Sequence, residues 1–195
     1  MRNLKITSVL AGYFMLDGGP MFGVVPKILW NKLHPANEWN QCLWAMRSIL
    51  IETGNARIIV DTGIGTKQEE KFRSIFGASG PSISESLQKI SIHPEEITDV
   101  FLTHLHFDHV GGALYKNESG QILPTFPNAT YWSNEVHYKW AYQSNPREEA
   151  SFLKENFVPL REQGRLQMID VQKSDVEWIH GMSVRFLYGH TTGMM

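Results

Sequence analysis

One cysteine, Cys42, stands in the 195 residues. An intrachain disulfide is excluded, so packing alone must hold the core, which suits a reducing compartment and the expectation of a cytoplasmic protein. Cys42 itself reads as a small buried hydrophobe rather than a nucleophile. No apolar run is long enough to cross a bilayer. Arg2 and Lys5 precede a moderately apolar stretch, 6–16, that mimics a short leader. Thr7, Ser8 and Gly12 interrupt it, and Asp17-Gly18-Gly19 offers no small-x-small cleavage site, so a strand is expected instead. Positive charge is not in excess: 18 Lys and Arg face 20 Asp and Glu, a net charge of −2. That removes the basic footprint of a nucleic-acid binder. Internal repeats and low-complexity tracts are absent too. A small molecule, not a nucleic acid or a membrane, is the expected partner.

What is present begins with an ordinary globular balance, 42% hydrophobic and 19% charged residues. The length suits one domain, 1–195, with ample material for a core. Strands are expected at 4–9 and 12–16, a turn at 17–20, and an irregular aromatic segment at 21–42 with a short helix around 27–33. Residues 43–52 alternate, turn at Thr53-Gly54-Asn55 and return into the buried run 58–60, a hairpin pattern. Helical spacing marks 67–76 and 82–90, the second opened by a Ser82–Glu85 capping box. Further strands are expected at 97–103, 129–132 and 166–170. Helices are expected at 133–143, capped by Ser133, and from Pro146 to about 155. A hairpin is expected from 176–179 and 182–188, with His180 in its turn.

One stretch organises the rest: Thr103-His104-Leu105-His106-Phe107-Asp108-His109. Four metal-type side chains fall within six positions directly after an apolar strand. Alternate residues of an extended chain share a face, so His104 and His106 can address one ion. The chain must then turn to bring Asp108 and His109 to bear, which Gly111-Gly112 permits. Imidazole and carboxylate suit Zn²⁺ at about 2.0–2.2 Å. With His190 added, five ligand positions exceed one tetrahedral ion, which suggests two ions about 3.5–4 Å apart. Asp61, the His104–His109 cluster and His190 each follow an apolar strand, and sites in layered α/β folds gather beyond the carboxyl ends of strands. Asp61 reads as a turn former, or as the acceptor that holds the histidine loop and orients an imidazole. His137 on the 133–143 helix would be a substrate contact only if that helix faces the site and otherwise reads as an ordinary helix residue, and His93 reads as a surface one.

The His-x-His-x-Asp-His pattern resembles the metallo-β-lactamase superfamily. Ile58-Ile59-Val60-Asp61-Thr62-Gly63 is similar to its first motif, and Gly189-His190-Thr191-Thr192-Gly193 to its third, with Thr192 in place of proline. Residues 16–27 are similar to the lactonase-like and organophosphate-hydrolase-like branch. The resemblance implies an α/β fold, an αββα sandwich represented mostly by its N-terminal half. It implies His104, His106 and His190 on one zinc, and Asp108 and His109 opening a second site. The family's bridging Asp and last His would follow His190 at a distance, beyond Met195, so the C-terminal part of the sandwich is expected to be missing. The strand 182–188 should then show an unpaired edge and an uncovered apolar face, a route to a homo-oligomer.

The implied activity is a zinc-dependent hydrolase in which a metal-bound hydroxide cleaves an ester, lactone or phosphotriester. Asp108 would hold the second metal and pass a proton to the leaving group. Met21, Phe22, Trp30 and Phe107 are expected at a rather apolar substrate pocket. The alternatives are a non-catalytic metal-binding or partner-binding half-domain, with one zinc or none, or, within the superfamily, a glyoxalase II-like thioesterase or a β-lactamase. A di-iron site would normally carry a carboxylate at the place of His106, so His106 favours zinc.

Overall fold

The computed structural model describes residues 4–172, 175–179 and 181–195. The expected turn at His180, and Arg2 of the leader-like stretch, lie outside the described residues. In chain order come β1 (Leu4–Asp17), α1 (Gly18–Phe22), α2 (Lys27–Trp30), β2 (Gln41–Thr53) and β3 (Ala56–Val60). Then follow α3 (Glu70–Ile75), α4 (Ile83–Lys89), β4 (Asp99–Phe101), α5 (Phe107–Val110), β5 (Leu114–Lys116) and β6 (Ile122–Pro124). The chain continues through β7 (Thr130–Ser133), α6 (Glu135–Tyr142), α7 (Val158–Glu162), β8 (Leu166–Met168), β9 (Val176–Glu177) and β10 (Ser183–Val184).

The main sheet has six strands in the order β1-β2-β3-β4-β7-β8. β1, β2 and β3 form an antiparallel meander, and β3, β4, β7 and β8 run parallel. Parallel neighbours need crossovers, and these carry the helices. The consequence for function is directional. The carboxyl ends of β3, β4 and β7 lie at one edge of the sheet, and the loops leaving them start at Asp61, Leu102 and Asn134.

Alternation along each strand divides the core in two. On one face Val9, Leu50, Ile59, Val100 and Tyr131 pack with Ile83 and Leu87 of α4 and Leu160 of α7. On the other, Ile58, Phe101 and Trp132 are covered by Trp178, Met182, Val184 and Phe186 of the β9–β10 hairpin. The 182–188 segment, expected to show an uncovered face, is therefore itself the cover. Leu187 and Tyr188 at the end of that segment stay exposed, and further open apolar surface lies over the meander, at Leu4, Ile6 and Ile49, 59%, 63% and 41% exposed.

Several expected boundaries shift. The two N-terminal strands are one, because Gly12 does not break the strand; at φ 108° it forms part of a bulge where the register with β2 shifts between Leu10 and Tyr13. The cap of α6 is Asn134, not Ser133, its side chain accepting from the His137 N–H. The helix expected from Pro146 is replaced by short 3₁₀ turns at Glu149–Ser151 and Lys154–Asn156. There the Asn145 side chain takes the Arg147 and Glu148 N–H groups. The 67–76 helix starts only at Glu70, since Lys67 and Gln68 turn their side chains inward to Gly111 and Asn156. The capping box on α4 forms in both directions.

Candidate metal centre

β4 delivers Thr103 and His104 at its carboxyl end, and α5, a single turn, re-aims Asp108 and His109. The turn is held by close backbone approach. A Cβ on Gly111 would lie 2.2 Å from the Ile64 carbonyl oxygen, and one on Gly112 2.2 Å from that of Thr62. Only glycine lets the ligand loop and the 61–65 loop touch in this way.

Among the described residues, one ring nitrogen each from His104, His106 and His190 lies within 4.8 Å of the other two. His106 Nδ1 and His190 Nε2 are 3.2 Å apart. Two nitrogens bound to one tetrahedral ion at about 2.0 Å would stand about 3.3 Å apart. The ring centroids of His104 and His109 are 4.0 Å apart, and His109 Nε2 lies 3.5 Å from Asp108 Oδ2. A second pair of donors thus adjoins the first three.

The network around the rings decides which nitrogen carries a proton. Asp61 Oδ1 accepts from the Thr103 N–H at 2.8 Å. Its Oδ2 accepts from Thr103 Oγ1–H and from His109 Nδ1, both at 2.8 Å. Thr103 Oγ1, having donated its proton, accepts from His104 Nδ1 at 3.0 Å. One carboxylate therefore fixes two rings as Nδ1–H tautomers, with both Nε2 lone pairs pointing away from it. Asp61 achieves this at φ 58°, a left-handed backbone that costs free energy and that Asp tolerates better than most residues.

Electrostatics follow the same division. Burial, reinforced by the neighbouring imidazoles, holds His104 well below the ordinary histidine range and pushes His106 down to about 3. Both are neutral, ligand-competent rings. Burial also opposes charge on His109, but the hydrogen bond and charge of Asp61 outweigh it and its pKa rises. Burial pushes the Asp108 carboxyl upward. The Nε2 atoms of His104 and His106 are buried with no hydrogen-bond partner. His104 Nε2, left without a partner, and His106 Nδ1, which faces His190 Nε2, belong to neutral rings. Such imidazole nitrogens are a donor set suited to a borderline-soft divalent cation, and the residues present fit zinc.

The third loop is held from below. His137, 1% exposed, accepts the Leu105 N–H at Nε2, 2.8 Å away, and its Nδ1 stands 2.7 Å from the Thr192 carbonyl. Asn134 Nδ2 donates to the Gly193 carbonyl at 2.7 Å, and Thr191 Oγ1–H donates to Glu148 Oε2 at 2.7 Å. Neither Glu148 nor His137 is marked for these roles by the sequence pattern. A lone His and a lone Glu carry no spacing signal, and only the fold brings them to the histidine loops.

A cavity of about 310 Å³ opens beside Asp108 and His109, lined also by Phe14, Met21, Trp44, Met46 and Arg47. Met21 is in its wall. Phe22 is one layer back, its ring 5.4 Å from that of Trp44. Trp30, 6% exposed, lies behind Phe22, stacked on it at 4.6 Å. Phe107 is a correction. It is 6% exposed and packs edge-on against Phe14 and Phe72, and against Phe76 at 4.6 Å, inside the core. The turn of α5 that presents Asp108 rotates its predecessor inward. Cys42 is fully buried and its thiol is pushed up by that burial, as befits a packing residue.

Comparison with known proteins agrees with this geometry. The family model described as the metallo-beta-lactamase superfamily matches residues 47–183. An N-acyl homoserine lactonase of Bacillus cereus is 28% identical over 200 residues, covering 97% of this chain and 67% of that protein. A crystal structure of a probable metal-dependent hydrolase from Staphylococcus aureus is 31% identical with a TM-score of 0.84, over 98% of this chain and 66% of that one. AidC, a dizinc quorum-quenching lactonase solved with N-hexanoyl-homoserine product, shares the fold at 20% identity and a TM-score of 0.71, over 100% of this chain and 68% of that one. The chain spans about two thirds of the length of these relatives. With the family model matched over most of its length and a solved relative alike along nearly all of it, this chain belongs to the metallo-beta-lactamase superfamily.

Proposed function

We propose that this chain carries the metal-binding core of a zinc-dependent hydrolase that opens lactone or carboxylic ester bonds in small, largely apolar substrates. The observation that carries the reading is the convergence of one ring nitrogen each from His104, His106 and His190, with the His104 and His106 rings buried and neutral. His104, His106 and His190 would hold one Zn²⁺, and Asp108 and His109 would contribute to a second. Zinc bound there lowers the pKa of a coordinated water to about 7 and polarises a carbonyl oxygen.

The chain's own residues supply the rest. Asp61 and Thr103 hold His104 and His109 in the tautomer that leaves Nε2 free. Asp108 Oδ2 stands at the cavity wall with its carboxyl pushed up by burial, where it can pass a proton to the leaving oxygen. Phe14, Met21, Trp44 and Met46 present apolar surface beside that carboxylate, with Phe22 and Trp30 as backing. Apolar walls with a few convergent polar groups suit an acyl chain attached to a polar ring or ester. The names of the lactonase relatives favour a lactone over a phosphotriester.

Two measurements on one preparation test this: zinc per chain by elemental analysis, and release of acid from a panel of lactones, esters, thioesters and phosphotriesters followed by pH-stat. Bound zinc with turnover of a lactone, both abolished in His106→Ala, is the expected result. Turnover that survives His106→Ala refutes the assignment. Zinc without turnover of any panel member supports the non-catalytic metal-binding alternative.

A further inference from the structure

A single buried ring joins the two loops that bring the first-site histidines together. Leu105 sits between His104 and His106, and its N–H donates to His137 Nε2 at 2.8 Å. An Nε2 that accepts must leave the ring proton on Nδ1, so Nδ1–H donates to the Thr192 carbonyl at 2.7 Å. Thr192 is two residues beyond His190. The ring therefore spans the gap between the His-x-His segment and the third-motif loop, with a hydrogen bond at each end.

Nothing in this arrangement can slide freely. His137 is 1% exposed. Its own N–H is fixed by the Asn134 cap at 2.8 Å, and Asn134 also holds the Gly193 carbonyl. The Phe152 ring lies 5.8 Å from the His137 ring and 4.6 Å from that of His106. Gly193 takes φ 74°, and a Cβ there would lie 3.2 Å from the His137 nitrogen. The His137 ring is itself no ligand. Its centroid is 6.4 Å from that of His104, and the converging nitrogens belong to the other three rings.

We propose that His137 is a positioning residue that sets the distance of His190 from the His104–His106 pair, by bridging the Leu105 N–H to the Thr192 carbonyl, and so sets the zinc affinity of the first site. The inference rests on the metal-site reading above. Its physical basis is the narrow tolerance of coordination, about 0.2 Å in ligand distance, which a free loop end cannot meet. A phenyl ring would keep the shape of His137 but remove both hydrogen bonds, leaving a buried N–H and a carbonyl unpaired. A glutamine carries an acceptor and a donor on one planar group and can restore both.

The test is zinc affinity, measured on the full 195-residue chain by competition with a chromophoric chelator, for wild type, His137→Phe, His137→Gln and Trp132→Phe. The last removes an indole bond to Asp99 of 2.8 Å on the far side of the sheet and serves as the stability control. The expected result is about 10–100-fold weaker binding in His137→Phe, the usual cost of losing a residue behind a ligand. His137→Gln should lie nearer wild type than His137→Phe, and Trp132→Phe should bind as wild type does. Wild-type affinity in His137→Phe overturns the proposal and leaves the hydrolase reading standing. A wild-type chain that takes up no zinc overturns both. Should His137→Phe not fold, long-range ¹⁵N–¹H spectra of the wild type decide: an Nδ1–H tautomer with a slowly exchanging Leu105 amide supports the bridge, and the opposite tautomer or fast exchange overturns it.

Discussion

Replacing Asp61 with Asn separates geometry from charge at the centre of the site. Asn tolerates the left-handed backbone of φ 58°, so the main chain is not a confounder. The amide oxygen can keep the Thr103 N–H. The amide nitrogen then takes the place of Oδ2 and faces two donors, Thr103 Oγ1–H and His109 Nδ1–H. His109 relieves the clash by moving its proton to Nε2 and accepting from the amide, which places a proton on the nitrogen proposed above as a ligand. Hydrogen bonds to a charged group contribute about 1.5–3 kcal/mol each, so losing two and recovering one neutral bond leaves a deficit of about 3 kcal/mol. Screening is modest, because the His109 and Asp61 side chains are 35% and 15% exposed. For a chain of this size the deficit lowers Tm by roughly 6–12 °C. Thermal unfolding of metal-free Asp61→Asn measures that term, and ¹⁵N ring shifts report the His109 tautomer. A stability loss below about 1 kcal/mol, or a His109 that keeps its Nδ1 proton, refutes the account of Asp61 as the carboxylate that fixes both rings.

Gly111→Ala should cost at least about 1–3 kcal/mol in urea unfolding, since its Cβ would meet the Ile64 carbonyl oxygen at 2.2 Å. Gly164→Ala, at φ 68° with open space around it, should cost only the left-handed strain of about 1–2 kcal/mol. Equal losses at the two sites would argue against a packed contact between the ligand loop and the 61–65 loop. Lys67 donates to the Gly111 carbonyl at 2.5 Å, and burial lowers its pKa from 10.5 to about 8. A folded pKa below the unfolded one means that the unfolded chain binds more protons between those values, so stability rises from pH 8 to 10.5, by at most about 3 kcal/mol. Lys67→Met should flatten that slope in unfolding measured across this window, and an unchanged slope would refute the assignment to Lys67.

The sequence disclosed the parts of the fold whose signals are local. The capping box at Ser82 and Glu85 and the hairpin around Gly54 need only neighbours in the chain, and both are present. The strand through Gly12 was hidden, because a glycine weakens a strand locally. Its continuity comes from pairing with β2 on both sides of the bulge. The segment after Pro146 looked helical by its first turn alone. In the fold, Glu148 is drawn away to Trp140 and Thr191, and Asn145 takes the backbone donors a helix would have used.

The site divides along the same line. His104, His106, Asp108 and His109 were legible because four such residues in so short a span have no common structural explanation. His190 was legible only through its place after a strand and in a family-like motif. Phe107 was misread because position between ligands does not give direction, and one helical turn put it in the core. His137 and Glu148 could not be found by spacing, since their partners Leu105, Thr191 and Thr192 lie 32, 43 and 55 residues away in the chain.

These remote contacts explain how the histidines stay ready to bind. Asp61 and Thr103 take the Nδ1 protons of His109 and His104, while His137 ties the His104–His106 segment to the loop carrying His190. Burial keeps His104 and His106 neutral, so no proton need leave them at neutral pH when a cation binds. The arrangement costs stability, because a buried nitrogen without a partner forfeits about 1–3 kcal/mol. A cation held by His104 Nε2 would return part of that free energy, so metal affinity and fold stability would be linked. The glycine contacts at Gly111 and Gly112 and the strained backbone of Asp61 belong to the same balance. They are unfavourable or restrictive locally, and they persist because the six-stranded sheet beneath them fixes both ends of each loop.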